Sequence, residues 1–419
     1  MPGENQSTRY YLFSLSNLLA AFGGGTILGK GIGIINNTFL QGGSILSFFV
    51  GTIFGLIFLQ FIPKKWSKTI ACSFSICGGL TSIILLSVFE ANAINGRLSD
   101  TPALWFFILL CTRFGFWFYS RVLRASAAAG QQQRIAWVEL GYYLGVIFGL
   151  IIWELFGINI GMAAALLLDA ILQFSAGSLD WVANRLVLFS QNDGIAESQI
   201  SQLHNDKKTN NDEKVWCWRL AIAAVFLTIA VQVVIFNLAH QVLGSFSPYI
   251  LAFFYFGVAV AAIVYKRFKI KLDWNVLAKK NSSYAVICST IAQKNKKISF
   301  FAGSFLSLFS VAIVIVGIID WRWGMISPVE TSGTLLLTFV SIAAFFYEIL
   351  TLAILDRIGL EEKAYHHQNM IVVTYGLMGV GAAVSFWILG TMKNSLLELL
   401  FTLVVCFMFS VLMIQKRLI

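Results

Sequence analysis

Charge is scarce in this chain: Asp, Glu, Lys and Arg make up 12% of its 419 residues, about half of what a soluble domain carries. That deficit excludes an ordinary water-soluble globule, and 58% hydrophobic residues with a mean hydropathy of +0.78 point to a polytopic membrane protein. Proline is also rare, with five in all. Pro2, Pro63, Pro102, Pro248 and Pro328 all fall at a terminus or at the edge of an apolar run, where a missing N–H does least harm. The six cysteines lie in apolar runs or in the basic segments between them, so reduced thiols are expected and no disulfide framework. The start, MPGENQSTRYY, has no small-residue cleavage site, so the first apolar run reads as a retained span.

Enzymatic signatures are missing as well. There is no H-E-x-x-H, no G-x-S-x-G and no G-x-x-x-x-G-K-[ST], which leaves no motif for a zinc hydrolase, a serine nucleophile or a nucleotide-driven pump. Nothing in the sequence asks for a cofactor. Glu361, Glu362, His366 and His367 cluster near one another but read better as exposed loop charge than as metal ligands.

What is present is two long apolar blocks, 10–182 and 216–415, separated by one polar tract that contains QNDGIAESQISQLHNDKKTNNDEK. A membrane crossing takes about 20 mostly apolar residues, so each block has room for about six. In hydrocarbon the backbone must satisfy its own hydrogen bonds, and runs such as 104–119 and 300–319 lack the alternation of barrel strands. The expected class is therefore all-α, with about 12 transmembrane helices in two six-helix bundles. Residues 1–182 form the first bundle, 183–215 a cytoplasmic linker and 216–419 the second bundle. The spans are placed near 11–35, 40–62, 69–89, 103–120, 135–156, 159–179, 218–240, 248–265, 298–319, 331–355, 369–390 and 395–414.

The net charge of +10 does not indicate nucleic acid, because of where the basic residues fall. With the N-terminus inside, most of them lie in inner segments, among them Arg9, Lys64, Lys65, Lys68, Arg121, Arg124, Arg134, Arg185 and the basic run 266–297. This is the positive-inside pattern. It predicts a multi-pass protein of the plasma (inner) membrane with both termini cytoplasmic. The run 266–297 reads either as a solvated topology-fixing loop or as an amphipathic helix on an anionic leaflet.

Ionisable groups inside spans cost about 2.5–3.5 kcal/mol on insertion scales, so they mark function. Lys30 follows Gly23, Gly24, Gly25 and Gly29. It can bind a substrate carboxylate or phosphate on an interrupted helix, or snorkel to the interface beside a small-residue packing ridge. Arg113 lies mid-span and needs an acceptor, which Glu139 or Asp169 can supply; it then either binds a substrate anion or locks the bundle. Glu139, Asp169 and Glu348 are the candidate proton couplers, since desolvation and a neighbouring arginine pull a carboxyl in opposite directions. Gln232 and Asn237, in span seven, are candidates for hydrogen bonds to substrate or equally to a neighbouring helix. Glu398 is shallower, and His240 reads as an interfacial histidine. The many aromatics read chiefly as lipid-facing bulk and interfacial anchors.

Six plus six spans around an inner linker resemble the major facilitator superfamily over nearly the whole chain. The loop after span two, Pro63-Lys64-Lys65-Trp66-Ser67-Lys68, is basic where that family carries Gly-…-Asp-Arg-x-Gly-basic, and Asp356-Arg357-Ile358-Gly359 echoes the signature after span ten. Leu109-x-x-x-Arg113 followed by Gly115 is similar to the fourth-span signature, and Gly141-x-x-x-Gly145-x-x-x-Gly149 to the glycine ridge of the antiporter motif. The resemblance implies a non-enzymatic secondary transporter working by alternating access, with proton coupling. Its partners would be a small-molecule solute and the lipid bilayer, and a monomer would suffice. The two intramembrane cations favour a small organic anion. Proton-driven efflux of an amphipathic or cationic compound is a second reading, and a non-transporting intramembrane enzyme or assembly factor a third.

Overall fold

The computed structural model describes residues 2–31, 67–94, 97–98, 100–129, 134–191, 209–230, 248–267, 329–365 and 370–391, with 402, 405, 406 and 409. The described chain is almost entirely helical: α1 (Pro2–Gly31), α2 (Ser67–Asn92), α3 (Asp100–Ala128), α4 (Arg134–Leu155) and α5 (Met162–Gln191), then α6 (Thr209–Thr228), α7 (Pro248–Arg267), α8 (Val329–Tyr365) and α9 (Met370–Thr391). Among the described residues, five helices are long and apolar enough to cross a membrane. Expected spans two and nine, and nearly all of span twelve, lie outside the described residues.

The helix boundaries have local causes. Pro2 opens α1, where its absent N–H is not needed. Gly157 closes α4 with φ 65°, a left-handed cap, and the Ile158 amide returns to the Trp153 carbonyl at 2.8 Å, which satisfies an otherwise orphaned oxygen. A two-residue antiparallel ladder, β1 (Ala93–Ile94) with β2 (Arg97–Leu98), links α2 to α3 and pairs Ala93 with Leu98.

Helix α3 corrects one expectation. Hydropathy ends its span at 120 and leaves Arg121 and Arg124 in an exposed inner segment, yet the helix runs on to Ala128 and Arg124 is fully buried. Ser120, Ala125, Ala127 and Ala128 favour or tolerate helix, and acids on neighbouring helices neutralise both guanidiniums, so neither needs bulk water. The polar tract 183–215 is likewise entered by helix from both sides, α5 reaching Gln191 and α6 starting at Thr209; residues 192–208 lie outside the described residues.

In the first block α1 packs on α4 and α5, and α2 on α3 and α5; in the second, α7 packs on α8, and α6 on α9 and α8. The α1–α4 seam is set by glycine. A Cβ at Gly141, Gly145 or Gly149 would run into the carbonyl of Ser14, Leu18 or Phe22, and one at Gly25 into that of Val146. Backbones approach this closely only where small residues repeat every four positions. The Ser14 hydroxyl donates to the Trp137 carbonyl at 2.8 Å, one turn before Gly141. The same device recurs at α7–α8: Ser341 donates to the Phe253 carbonyl at 2.7 Å, and a Cβ at Gly257 would meet the Ser341 carbonyl. Large apolar side chains such as Leu80, Ile84, Leu104, Trp105 and Ile171 stay exposed, as lipid-facing positions do.

Candidate functional site

Charge inside the first block is paired with little waste. Arg113 of α3 donates from Nη2 to Asp169 Oδ1 at 2.5 Å and from Nε to Oδ2 at 2.7 Å. Ser82 of α2 donates to the same carboxylate at 2.5 Å, and Gln173, one turn along α5, reaches it at 3.4 Å and the Ala20 carbonyl at 3.0 Å. Arg113 and Asp169, offered by the sequence as a possible pair, are therefore joined, deep between α2, α3 and α5. Three turns along α3, Arg124 forks onto Asp180 at 2.9 and 2.7 Å. It also donates to Asn17 at 2.8 Å and Ser75 at 2.7 Å. Neither Arg124 nor Asp180 was singled out from the sequence, because both fell just beyond the apolar windows assigned to spans.

Glu139 finds a different arginine from the one anticipated. Arg121 donates to its Oε2 from Nη2 at 2.6 Å and from Nε at 2.9 Å. The other carboxylate oxygen accepts from the Tyr375 hydroxyl at 2.9 Å, on α9 of the second block. One turn further along α4, Tyr143 donates to Glu348 Oε1 of α8 at 2.6 Å. Between these two bonds the Arg121 guanidinium lies 3.6 Å from the centre of the Tyr142 ring, a close cation–π stack. Tyr142 and Tyr143 both face Tyr255 of α7, with ring centres 5.9 and 6.1 Å apart. Phe118 packs edge-on against Tyr375 at 6.4 Å.

This cluster of Arg121, Glu139, Tyr142, Tyr143, Tyr255, Glu348 and Tyr375 joins the two blocks. Its spacing on α4 makes it possible, since Glu139, Tyr142 and Tyr143 stand at i, i+3 and i+4 and so share one face. Beyond it, at the end of α7, the Lys266 ammonium sits 3.6 Å from the Trp137 ring centre. Lys266 is a little easier to deprotonate than an ordinary lysine, first because burial removes water and then because Arg134 is nearby. The α3–α9 and α4–α8 contacts are sparse and made chiefly by side chains, whereas α4 packs along α7 over a longer stretch.

Lys30 is half-buried at the end of α1 and takes part in no ion pair among the described residues. Helix α1 continues unbroken past it to Gly31, and Gly29 faces Leu150 of α4. Gln232 and Asn237 lie outside the described residues, as do His240 and Glu398. Among the described residues no three His, Cys, Asp or Glu side chains converge as a metal site would require.

No protein-family model matches the chain, and no curated protein matches it by sequence. Solved structures do. The chain superposes on a bacterial homologue of the iron transporter ferroportin, captured outward-facing with soaked iron. The TM-score is 0.55 at 11% identity, covering 97% of this chain and 98% of the other. It is similar also to the human organic anion transporter MFSD10 (TETRAN), with a TM-score of 0.56 at 12% identity, covering 99% of this chain and all of the other. End-to-end coverage of both, together with the two blocks of apolar helices, gives this chain a helical fold of the major-facilitator type.

Proposed function

We propose that this protein is a secondary active transporter that moves a small organic anion across the plasma (inner) membrane by alternating access. The observation that carries the reading is the contact between the blocks. Two helix assemblies pack against each other along α4 and α7 and are tied by a cluster of side chains whose bonds can part without breaking a helix. Bundles that rock about such a contact expose a central site to either side in turn. The structural neighbours are an iron transporter homologue and an organic anion transporter, which supports transport as the general activity. The absence of enzyme signatures in the sequence agrees.

The positive-inside pattern supports reading the Arg121–Glu139 end of the bundles as the cytoplasmic one, and on that reading the contact between the blocks holds that side closed. Lys30, at the other end of α1 and free of ion pairs among the described residues, is the cation assigned to attract the anion. Gln232 and Asn237 are assigned to hydrogen-bond it. Arg113 is already saturated by Asp169, and its part in binding would require that pair to open. Coupling to protons falls to the carboxyls Glu139, Asp169 and Glu348.

A second reading, proton-driven efflux of an amphipathic or cationic compound, draws on Glu348, which is buried and takes part in no ion pair among the described residues. The test is reconstitution into proteoliposomes with an imposed pH gradient and a panel of organic anions and cations. Anion-dependent proton movement is the expected result. Cation-dependent movement alone selects the second reading, and no solute-dependent movement for any compound overturns both.

A further inference from the structure

Among the described residues four acidic side chains are buried, Glu139, Asp169, Asp180 and Glu348. Arginine neutralises the first three, through Arg121, Arg113 and Arg124. Glu348, 3% exposed, is the one left over. Its bonded neighbour is the Tyr143 hydroxyl, a neutral donor from the opposite block. The other titratable groups around it are Tyr255 from α7, Tyr375 from α9, Tyr347 on its own helix, Glu139 from α4 and Arg121 from α3. Arg121 is the only cation of that set, and Glu139 holds it with two hydrogen bonds. An isolated carboxylate in a water-free interior is expensive and tends to take up a proton instead.

The two cross-block bonds made to carboxylates are also unequal. When the cytoplasmic side opens, Glu139 loses Tyr375 but keeps Arg121, so its charge stays compensated. Glu348 loses Tyr143, the partner that its carboxyl has across the interface, and meets water.

We infer that Glu348 is the proton-carrying group of the transport cycle, holding a proton while the cytoplasmic side is closed and releasing it there when Tyr143 withdraws. This rests on the transporter reading above and singles out one of its three candidate carboxyls. The step is a simple transfer: a proton from the outer side binds a Glu348 carboxylate oxygen, and the same O–H bond breaks to cytoplasmic water once the interface parts. Tyr143 is the positioning residue, because its hydroxyl ties the acid to the closed conformation. Glu139 serves as a latch whose charge does not change.

Infrared spectroscopy of the purified full-length protein in lipid, at neutral pH without solute, tests the inference independently of transport. A protonated-carboxyl C=O stretch is expected in the wild type, lost in Glu348→Gln and retained in Glu139→Gln. Tyr143→Phe should shift that band without removing it. Absence of the band from the wild type, or its persistence in Glu348→Gln, overturns the inference. A second measurement uses spin labels on Val182→Cys of α5 and Ile263→Cys of α7, both exposed near the cytoplasmic end. Their separation should grow as pH is raised in the wild type and stay short in the Glu348→Gln background. An identical pH response in both overturns it. Solute-dependent proton flux that survives Glu348→Gln refutes this assignment alone, whereas loss of all flux with the band intact refutes the transporter reading.

Discussion

Glu139 and Tyr375 are 236 residues apart in sequence, and the tyrosine hydroxyl donates to the glutamate at 2.9 Å across the boundary between the two helix blocks. A hydrogen bond to a charged group is worth about 1.5–3 kcal/mol, enough to bias a balanced open–closed equilibrium by one or two orders of magnitude. Tyr375→Phe is therefore expected to open the contact between the two blocks at this end. Pulsed spin-label distances between positions 182 and 263 should lengthen, while the melting temperature changes little because each block keeps its own core.

Trp137 acts on the same equilibrium more weakly. Its ring receives the Lys266 ammonium at 3.6 Å, a contact worth about 0.5–1 kcal/mol at a partly exposed site. Trp137→Leu should shift the same distance distribution in the same direction as Tyr375→Phe, by a smaller amount. A larger shift than that of Tyr375→Phe would mean that the aromatic contact, not the carboxylate, holds the end closed.

The Arg124–Asp180 pair belongs to stability, not to the interface. Both side chains are fully buried, and removing one partner strands the other's charge at a cost of about 3–5 kcal/mol. Asp180→Leu should lower the thermal midpoint in detergent sharply. The double change Asp180→Leu with Arg124→Met should recover much of the loss, which a thermal-shift series on the four proteins would show as strong coupling.

The α1–α4 seam gives a backbone-level prediction. Gly145→Ala places a methyl group against the Leu18 carbonyl and the Ala21 side chain, and overpacking of this kind costs about 1–3 kcal/mol. Gly161→Ala, where nothing lies within 4 Å of the added Cβ, is the matched control and should leave the thermal midpoint unchanged.

Hydropathy and charge made the helices and most of their ends readable in advance, because burial in lipid leaves long apolar runs and pushes proline to the edges. The rule that finds spans also hid part of the site. It stops where charge appears, so Arg121 and Arg124 fall to an inner segment and Asp180 lies just past the end of span six, although α3 and α5 carry all three inside the bundle. Glu139 and Glu348 stood out as intramembrane acids, yet their partners could not be chosen from sequence. The choice depends on which face of α4 turns toward α7 and α8. Glycines in the Gly141–Gly149 ridge held that information, since they fix the opposite face of α4 against α1. Gln232 and Asn237 remain expectations of sequence alone.

The glycine ridge also determines what moves together. Because α4 touches α1 backbone to backbone through the glycine ridge, the two helices behave as one beam, while the far face of α4 packs along α7 with rings and hydroxyls between them. A parting at Tyr143 and Glu348 must therefore swing α1 as well. A helix of 30 residues is a rod roughly 45 Å long at 1.5 Å per residue, so a small rotation at its Tyr10 end is magnified at Lys30. The lysine sits at the tip of a lever whose other end lies beside the contact between the blocks.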